Sequence, residues 1–402
     1  MRRLRVAWTV VAIVLAGLPT AAYAAAANCR NTDSFERWLS DFKREAAAQG
    51  ISQRAIAAAS PSMTFDQRII NIDRGQRFFS LSFLEFSGRM IPAYRLSRGA
   101  SLIKKYETIF AKVEQRWGVP APVIVAFWGL ESDFGGNMGK ELTLRSLATL
   151  AYDCRRPEMF RPQLVAALQI IDRGDLTPEE MVGSWAGELG QTQMLPSEYF
   201  KNAVDFDGDD RRNLMKSVPD VLASTANYLV SLGWRRGEPW LQEVRVPQNL
   251  AWDQADLEIQ HPRAQWARWG VTPADGRPLP ADNLPASLLL PMGRFGPAFL
   301  AHPNFQVYLK WNQSLVYSTS AAYFAARLAG APAMRRGEGV PSIGFNEIRE
   351  IQQLLAKRGY DVGKLDGIMG QKTRVAVKAM QIKFGLPADS YPTLELLERL
   401  RR

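Results

Sequence analysis

Val123 to Gly136 reads VIVAFWGLESDFGG: an apolar run that carries one carboxylate, Glu131, to its end, where a glycine pair follows. Val123, Phe127, Leu130 and Phe134 recur at i, i+4, i+7 and i+11, one face of a helix, and Trp128 lies one turn before Glu131. A carboxyl leaving a helix against such a wall is desolvated. That raises its pKa and keeps it protonated, the state a general acid needs near neutral pH. The alternative is a glutamate tied into a salt bridge or a cap, because ion-pair networks also perturb carboxylates. Asp133 falls roughly on the opposite side of the helix and reads as structural or as a cap.

Outward from this stretch, the pattern predicts a mainly α (α+β) protein. Phe35, Trp38, Leu39 and Phe42 share a face of a helix that Gly50 ends. Asp66 to Tyr94, with Phe78, Phe79, Phe83 and Phe86, reads as packed scaffold. Ser101 to Trp117 reads as one amphipathic helix stopped by Gly118 and Pro120. Pro122 to Trp234 is helical with short loops. EVRVP and ASLLLP, between Glu238 and Leu290, read as short strands among Pro-rich connections, and helix returns over Ser318 to Leu328. GAPAMRRGEGVPS has linker composition. Phe345 to Leu400 then forms a minimal three-helix unit. Ile348, Ile351 and Leu355 make one of its faces, and Val375, Ala379 and Ile382, with Phe384 nearby, make another. The boundaries are 1–24, 25–330, 331–342 and 343–402.

The first of these segments reads as a secretory signal: Arg2, Arg3 and Arg5, an apolar run from Val6 to Leu18, and the small-x-small site of Ala22 to Ala24. That run is short for a membrane span, and no second one of about 20 residues follows. A soluble, periplasmic protein is expected. The net charge is +10, and +7 without the three signal arginines. A basic surface suits an acidic polymer. Export and the lack of an aromatic-interleaved basic run argue against nucleic acid and favour wall glycan with its lactyl and peptide carboxylates. Cys29 and Cys154, the only two cysteines, are expected to be bridged in an oxidising compartment. Two histidines, His261 and His302, leave little room for a Ser-His-Asp triad or a His-rich zinc site. Catalysis then runs on carboxylates, hydroxyls and amides.

Six blocks follow one another in a distinctive order: ESDFGG at Glu131, SWAGELGQTQMLPSEYF from Ser184 to Phe200, DFDGDD at Asp205, ANYL at Ala226, NF at Asn304 and KWNQSLVY from Lys310 to Tyr317. In order and spacing they resemble the B-type lytic murein transglycosylases over roughly Phe35 to Gly330. EIQQLL, GYDVGKLDGIMGQKT and AMQIKFGL resemble the small peptidoglycan-binding domain of wall enzymes, with Met380 and Ser390 departing from that domain's usual Phe and Gly.

The resemblance implies a lysozyme-like catalytic domain with a small β-containing insertion, followed by the three-helix module. It implies cleavage of the MurNAc-β-1,4-GlcNAc bond without water, leaving 1,6-anhydromuramoyl ends. Glu131 would serve as acid and then base, and no cofactor is required. A muramidase using water and a second carboxylate, or a non-catalytic wall-binding scaffold, are the alternatives. Ser184 and Gln193 would contact the sugar and its N-acetyl group, and Gly187 and Gly190 would let the backbone approach a ligand; the other reading of that loop is an ordinary tight connection. Asn312 and Tyr317 would close the cleft. Tyr228 would line it or serve as a core aromatic, and Arg155 and Arg156 would meet lactate or peptide or stay solvated. Glu188 stands where the family's familiar members carry a small residue, and Met159 replaces an aromatic. Asp205, Asp207 and Asp209 resemble EF-hand positions 1, 3 and 5, although Asp210 replaces the Gly at 6 and Lys216 the Glu at 12. A structural calcium, with Asp220 as a later ligand, or a hydrated acidic turn are the two readings. The module would act as a tether that concentrates glycan near the site, and wall-assembly proteins are a further partner class.

Overall fold

The helix Ala121–Ser132 is the axis of the molecule. Ten of its twelve residues are buried, so it is apolar all round and not the one-faced stripe the spacing predicts. The helices Ala93–Lys105, Val218–Ser231 and Leu315–Leu328 wrap it. Gly129 permits the closest approach, since a Cβ there would stand 2.8 Å from Phe134 and 3.0 Å from Phe324. The computed structural model describes residues 31, 33–75, 81–337 and 343–402. The signal segment, Cys29, Phe78 and Phe79 lie outside these.

Much of the helical pattern is as predicted. Phe35–Ala48 starts on the Ser34 cap and stops before Gly50, whose φ is 91°. Two corrections concern helix bounds. Ser101 to Trp117 is not one helix: Ala93–Lys105 and Glu107–Trp117 meet at Tyr106, whose φ of −106° and ψ of 23° break the ladder. Its ring packs 6.2 Å from that of Trp128. The late helix begins at Leu315, because Ser314 caps it by accepting from Tyr317 N.

The β-containing insertion is a five-stranded antiparallel sheet. Its order is His261–Pro262, Pro285–Leu289, Ala298–Ala301, Leu241–Arg245, Thr272–Pro273. Both predicted strands are present, Leu241–Arg245 and Pro285–Leu289. Ala298–Ala301 joins them through the registers Val244 with Ala298 and Leu289 with Phe299. The insertion has its own core of Val244, Trp266, Leu288 and Leu300.

The C-terminal unit is formed by Phe345–Lys357, Gln371–Lys383 and Leu394–Arg401. Ile348, Ile351 and Leu355 face inward as predicted. The middle helix is rotated from its predicted face: Val375 and Ile382 are exposed at 47% and 56%, and Thr373, Ala376, Val377 and Met380 are buried. The reason lies outside the module. Arg374, Lys378 and Gln381, at i, i+4 and i+7, are buried as well. Arg374 donates to Leu290 O at 2.6 Å, Lys378 pairs with Asp256 at 3.0 Å, and Gln381 donates to Asp389, which in turn accepts from Arg294 N at 3.0 Å. The unit is therefore docked on the insertion by buried polar contacts and does not trail as a free tether. Residues 331–337 run along the insertion, where Arg335 reaches Glu243. No helix among the described residues is long and apolar enough to cross a membrane.

The Lys378–Asp256 pair, 11% and 9% exposed, gives a first prediction. Lys378→Met leaves Asp256 buried and unpaired and should destabilise the docked module by about 3 kcal/mol. Calorimetry should show the single transition split or shift down; an unchanged endotherm would count against the docking.

Candidate active site

The central helix ends in a tight turn. Asp133 and Phe134 both adopt positive φ, 52° and 61°. Asp133 holds this strained exit by accepting from Tyr94 Oη and Arg95 Nε, each at 3.1 Å, so it is structural, as predicted. Ser132 Oγ accepts from Gly135 N at 2.8 Å and donates to Gln191 O; Trp128 Nε1 donates to Gln191 Oε1 at 2.9 Å. Buried Gln191 thus staples the helix end to the SWAGELGQTQ loop.

Glu131 lies at this end against the two late helices, which supply both of its hydrogen-bond donors. Its Oε1 accepts from Trp311 Nε1 at 2.8 Å and from Tyr317 Oη. Among the described residues no hydrogen bond to its Oε2 is found, and the residue is part-exposed. Protein crowds the carboxyl on most sides, yet the residue stays part-exposed. Burial, opposed by the two donors and helped by the Glu188 charge, pushes the Glu131 pKa up to about 7. Two donors on one oxygen leave the other to carry the proton, so this carboxyl exchanges a proton near neutral pH and is backed by groups that stabilise its anion.

Trp311 is the residue that sequence reasoning missed. Phe127 stacks on it at 4.2 Å and Tyr228 lies against it at 5.0 Å, which fixes its N–H on Glu131. The KWNQSLVY block held the signal, six residues before Tyr317. Tyr228 thus joins the aromatic wall through Trp311. Asn312 accepts from Ser314 N at 2.9 Å through Oδ1 and shapes the turn between the two late helices.

The loop departs from expectation in two ways. A Cβ at Gly187 would strike Leu147 at 2.3 Å, and one at Gly190 would stand 2.9 Å from Leu214 O. Both glycines serve close packing within the protein. The Ser184 hydroxyl donates to Glu188 Oε2 at 2.9 Å and accepts from Ala186 N at 3.2 Å and Glu188 N at 3.3 Å. Its hydrogen-bonding capacity is spent inside the loop. Gln193, at φ 49°, donates to Gly190 O and Met138 O and locks the same turn. Arg155 and Arg156 both clamp the buried Asp73, and Arg156 also lies 5.0 Å over the Phe160 ring. The pair is a structural brace.

Asp205, Asp207, Asp209 and Asp220 bring one oxygen each within 4.8 Å of one another. Asp210, in the place of the EF-hand glycine, takes the left-handed φ of 68° that position requires. Lys216 turns away to Glu180 at 3.2 Å, and Asp220 comes in from the following helix. Convergent hard carboxylate oxygens fit a calcium ion.

The transglycosylase SLT domain family matches residues 34–326. The chain belongs to this family. A peptidoglycan binding domain family matches residues 346–400. This SLT transglycosylase chain is 31% identical over 243 residues to the membrane-bound lytic murein transglycosylase B of Escherichia coli K12, a match covering 59% of the chain and 64% of that relative, just under two thirds. It is similar to Pseudomonas aeruginosa SltB3 in complex with NAG-anhNAM-pentapeptide, at 40% identity and a TM-score of 0.85, covering 92% of this chain and all of that one. The E. coli lytic transglycosylase Slt35 in complex with calcium is 26% identical with a TM-score of 0.61, covering 72% and 92%. These likenesses support the lysozyme-like, mainly α architecture.

Proposed function

We propose that the protein is a peptidoglycan lytic transglycosylase in which Glu131 alone serves as acid and base. The observation that carries this reading is the Glu131 carboxyl: pushed by burial to titrate near neutrality, held on Oε1 by Trp311 and Tyr317, with no hydrogen bond to Oε2 among the described residues. Oε2 gives its proton to the glycosidic oxygen as the C1–O bond breaks, and the substrate's acetamido group supports the cation at C1. The carboxylate, steadied by two donors, then takes the proton of the C6 hydroxyl, whose oxygen bonds to C1. One proton leaves Glu131 and one returns, and no water is consumed. Mass spectrometry of muropeptides released from purified sacculi tests this: anhydro ends, one water lighter, are expected, and reducing ends alone would overturn it.

Residues 1–24 are best read as an export signal, which places the enzyme at its substrate in the periplasm. No free thiol occurs among the described residues, which supports a Cys29–Cys154 bridge in that compartment. The Asp205, Asp207, Asp209 and Asp220 cluster would hold a structural calcium ion. Saturating calcium at about 100-fold over its Kd should raise the thermal midpoint by about 5 °C relative to chelator; an unchanged midpoint counts against the ion.

A further inference from the structure

Docking of the C-terminal module encloses a cavity of about 470 Å³ whose lining residues take no part in the reaction set out above. Three parts of the chain build it. Glu85 comes from the first turn of the helix Phe83–Met90 and Val316 from the first turn of Leu315–Leu328; Met292 comes from the insertion, and Phe345, Met369 and Tyr391 from the module. Val316 immediately precedes Tyr317, a donor to Glu131. Met369 belongs to the glycine-spaced GYDVGKLDGIMGQKT loop. Gly367, at φ 73°, lets that loop close on Phe345, since a Cβ there would stand 2.7 Å from the ring.

The polar groups of the cavity are few. Glu85 is the one charged residue among its described lining residues. Its Oε2 accepts from Ser82 Oγ at 2.7 Å and Ser82 N at 3.0 Å, which holds the carboxyl below the usual carboxylate range and ionised at neutral pH. No hydrogen bond to its Oε1 is found among the described residues. Tyr391 is nine-tenths buried. Its N donates to Asp389 Oδ1 and its O accepts from Gln381, but its hydroxyl has no partner among the described residues. A buried phenol left in that state costs free energy unless water or a ligand meets it. Burial raises the Tyr391 pKa and the Glu85 charge adds to the rise, in keeping with two groups that line one space.

We propose that this cavity binds the amine-bearing stem peptide of peptidoglycan, with Glu85 taking the ammonium group and the Tyr391 hydroxyl donating to a peptide carbonyl. This rests on the reading of peptidoglycan as the substrate. The volume falls within the range of about 300–1,000 Å³ usual for ligand sites. The chain as a whole carries a charge of +10, yet the one charge lining this cavity is negative. It selects a cation and disfavours the lactyl and peptide carboxylates of the wall. The glycan backbone has no cation, so a saccharide would leave Glu85 without a counter-charge. A peptide amine on an aliphatic arm supplies one, and Met292, Met369 and Phe345 cover the arm; methionine adapts to an irregular apolar surface. Glu85 and Tyr391 stand on different domains, so the site is complete only in the docked chain.

Calorimetric titration of the full chain tests this with three probes: a stem peptide acyl-capped at its N-terminus with its side-chain amine free, the same peptide acetylated on that amine, and the disaccharide without peptide. Glu85→Gln removes the charge and keeps the helix cap, because glutamine also serves a capping box. Tyr391→Phe removes one hydroxyl. The Kd of the free-amine peptide should rise roughly tenfold in Glu85→Gln and roughly fivefold in Tyr391→Phe. The acetylated peptide should bind wild type about as weakly as the free-amine peptide binds Glu85→Gln, and should not distinguish those two proteins. Equal binding of the two peptides by wild type overturns the proposal, as does an unchanged Kd in either variant or no binding at millimolar peptide. A disaccharide that binds wild type and is lost in Glu85→Gln would make this a glycan site and overturns it too. The titration needs no turnover, so its outcome is separate from the reaction. Anhydro ends from a chain that ignores the amine sink only the cavity assignment; reducing ends alone from a chain that binds the peptide sink only the transglycosylase reading.

Discussion

Glu131→Gln is expected to lower sacculus lysis by roughly 10³-fold or more and, at the same time, to make the protein more stable above pH 7. The first effect follows because one group serves both proton transfers and glutamine can perform neither. The second follows from burial. The carboxyl titrates at about 7 in the folded protein against an ordinary 4.5, so between those values the folded state binds the proton more tightly than the unfolded chain. Its contribution to stability is fully present below 4.5 and lost as pH rises through 7. Glutamine has no such loss. Thermal midpoints across pH should therefore favour Glu131→Gln above pH 7 and converge with wild type near pH 4.5. A glutamate held in a structural salt bridge would give the opposite sign, losing stability at neutral pH when replaced. The same titration makes wild-type kcat/KM fall as pH rises through about 7.

Tyr317→Phe is the second large effect. The phenol is one of two donors on Glu131 Oε1, and its removal should reduce kcat by about 10²-fold. The hydrogen bond lowers the Glu131 pKa against burial, so its loss should move the alkaline limb to higher pH. A slower base step with a more persistent acid is the signature expected. Loss of activity with an unmoved limb would mean that Tyr317 only packs the cleft.

Much of this site was legible in the sequence because it depends on local pattern. An apolar helix ending in Glu-Ser-Asp-Phe-Gly-Gly says where the carboxyl emerges, and an apolar wall says that it is desolvated. What was not legible depends on the far side of contacts. Trp311 stands in the KWNQSLVY block, but only the packing of Phe127 and Tyr228 against it shows how its N–H is aimed. Ser184 looked like a sugar contact, but the adjacent Glu188 and two backbone amides consume its hydroxyl. Arg155 and Arg156 were legible as a basic pair, but not their partner Asp73, more than eighty residues earlier. The middle helix of the C-terminal unit was misread because apolar period alone places Val375 and Ile382 inward. Arg374, Lys378 and Gln381 are polar yet buried by a surface that belongs to the insertion. The acidic loop fell between these cases: three aspartates were visible in DFDGDD, and only the fold brings Asp220 to them.

The central claim is that the glycosidic bond is cut with one carboxyl and no water. Digesting sacculi in water labelled with the heavy oxygen isotope tests it most directly. The account predicts 1,6-anhydro ends that carry no label, and none of them formed by Glu131→Gln. Labelled reducing ends as the primary product of the wild-type enzyme would contradict it.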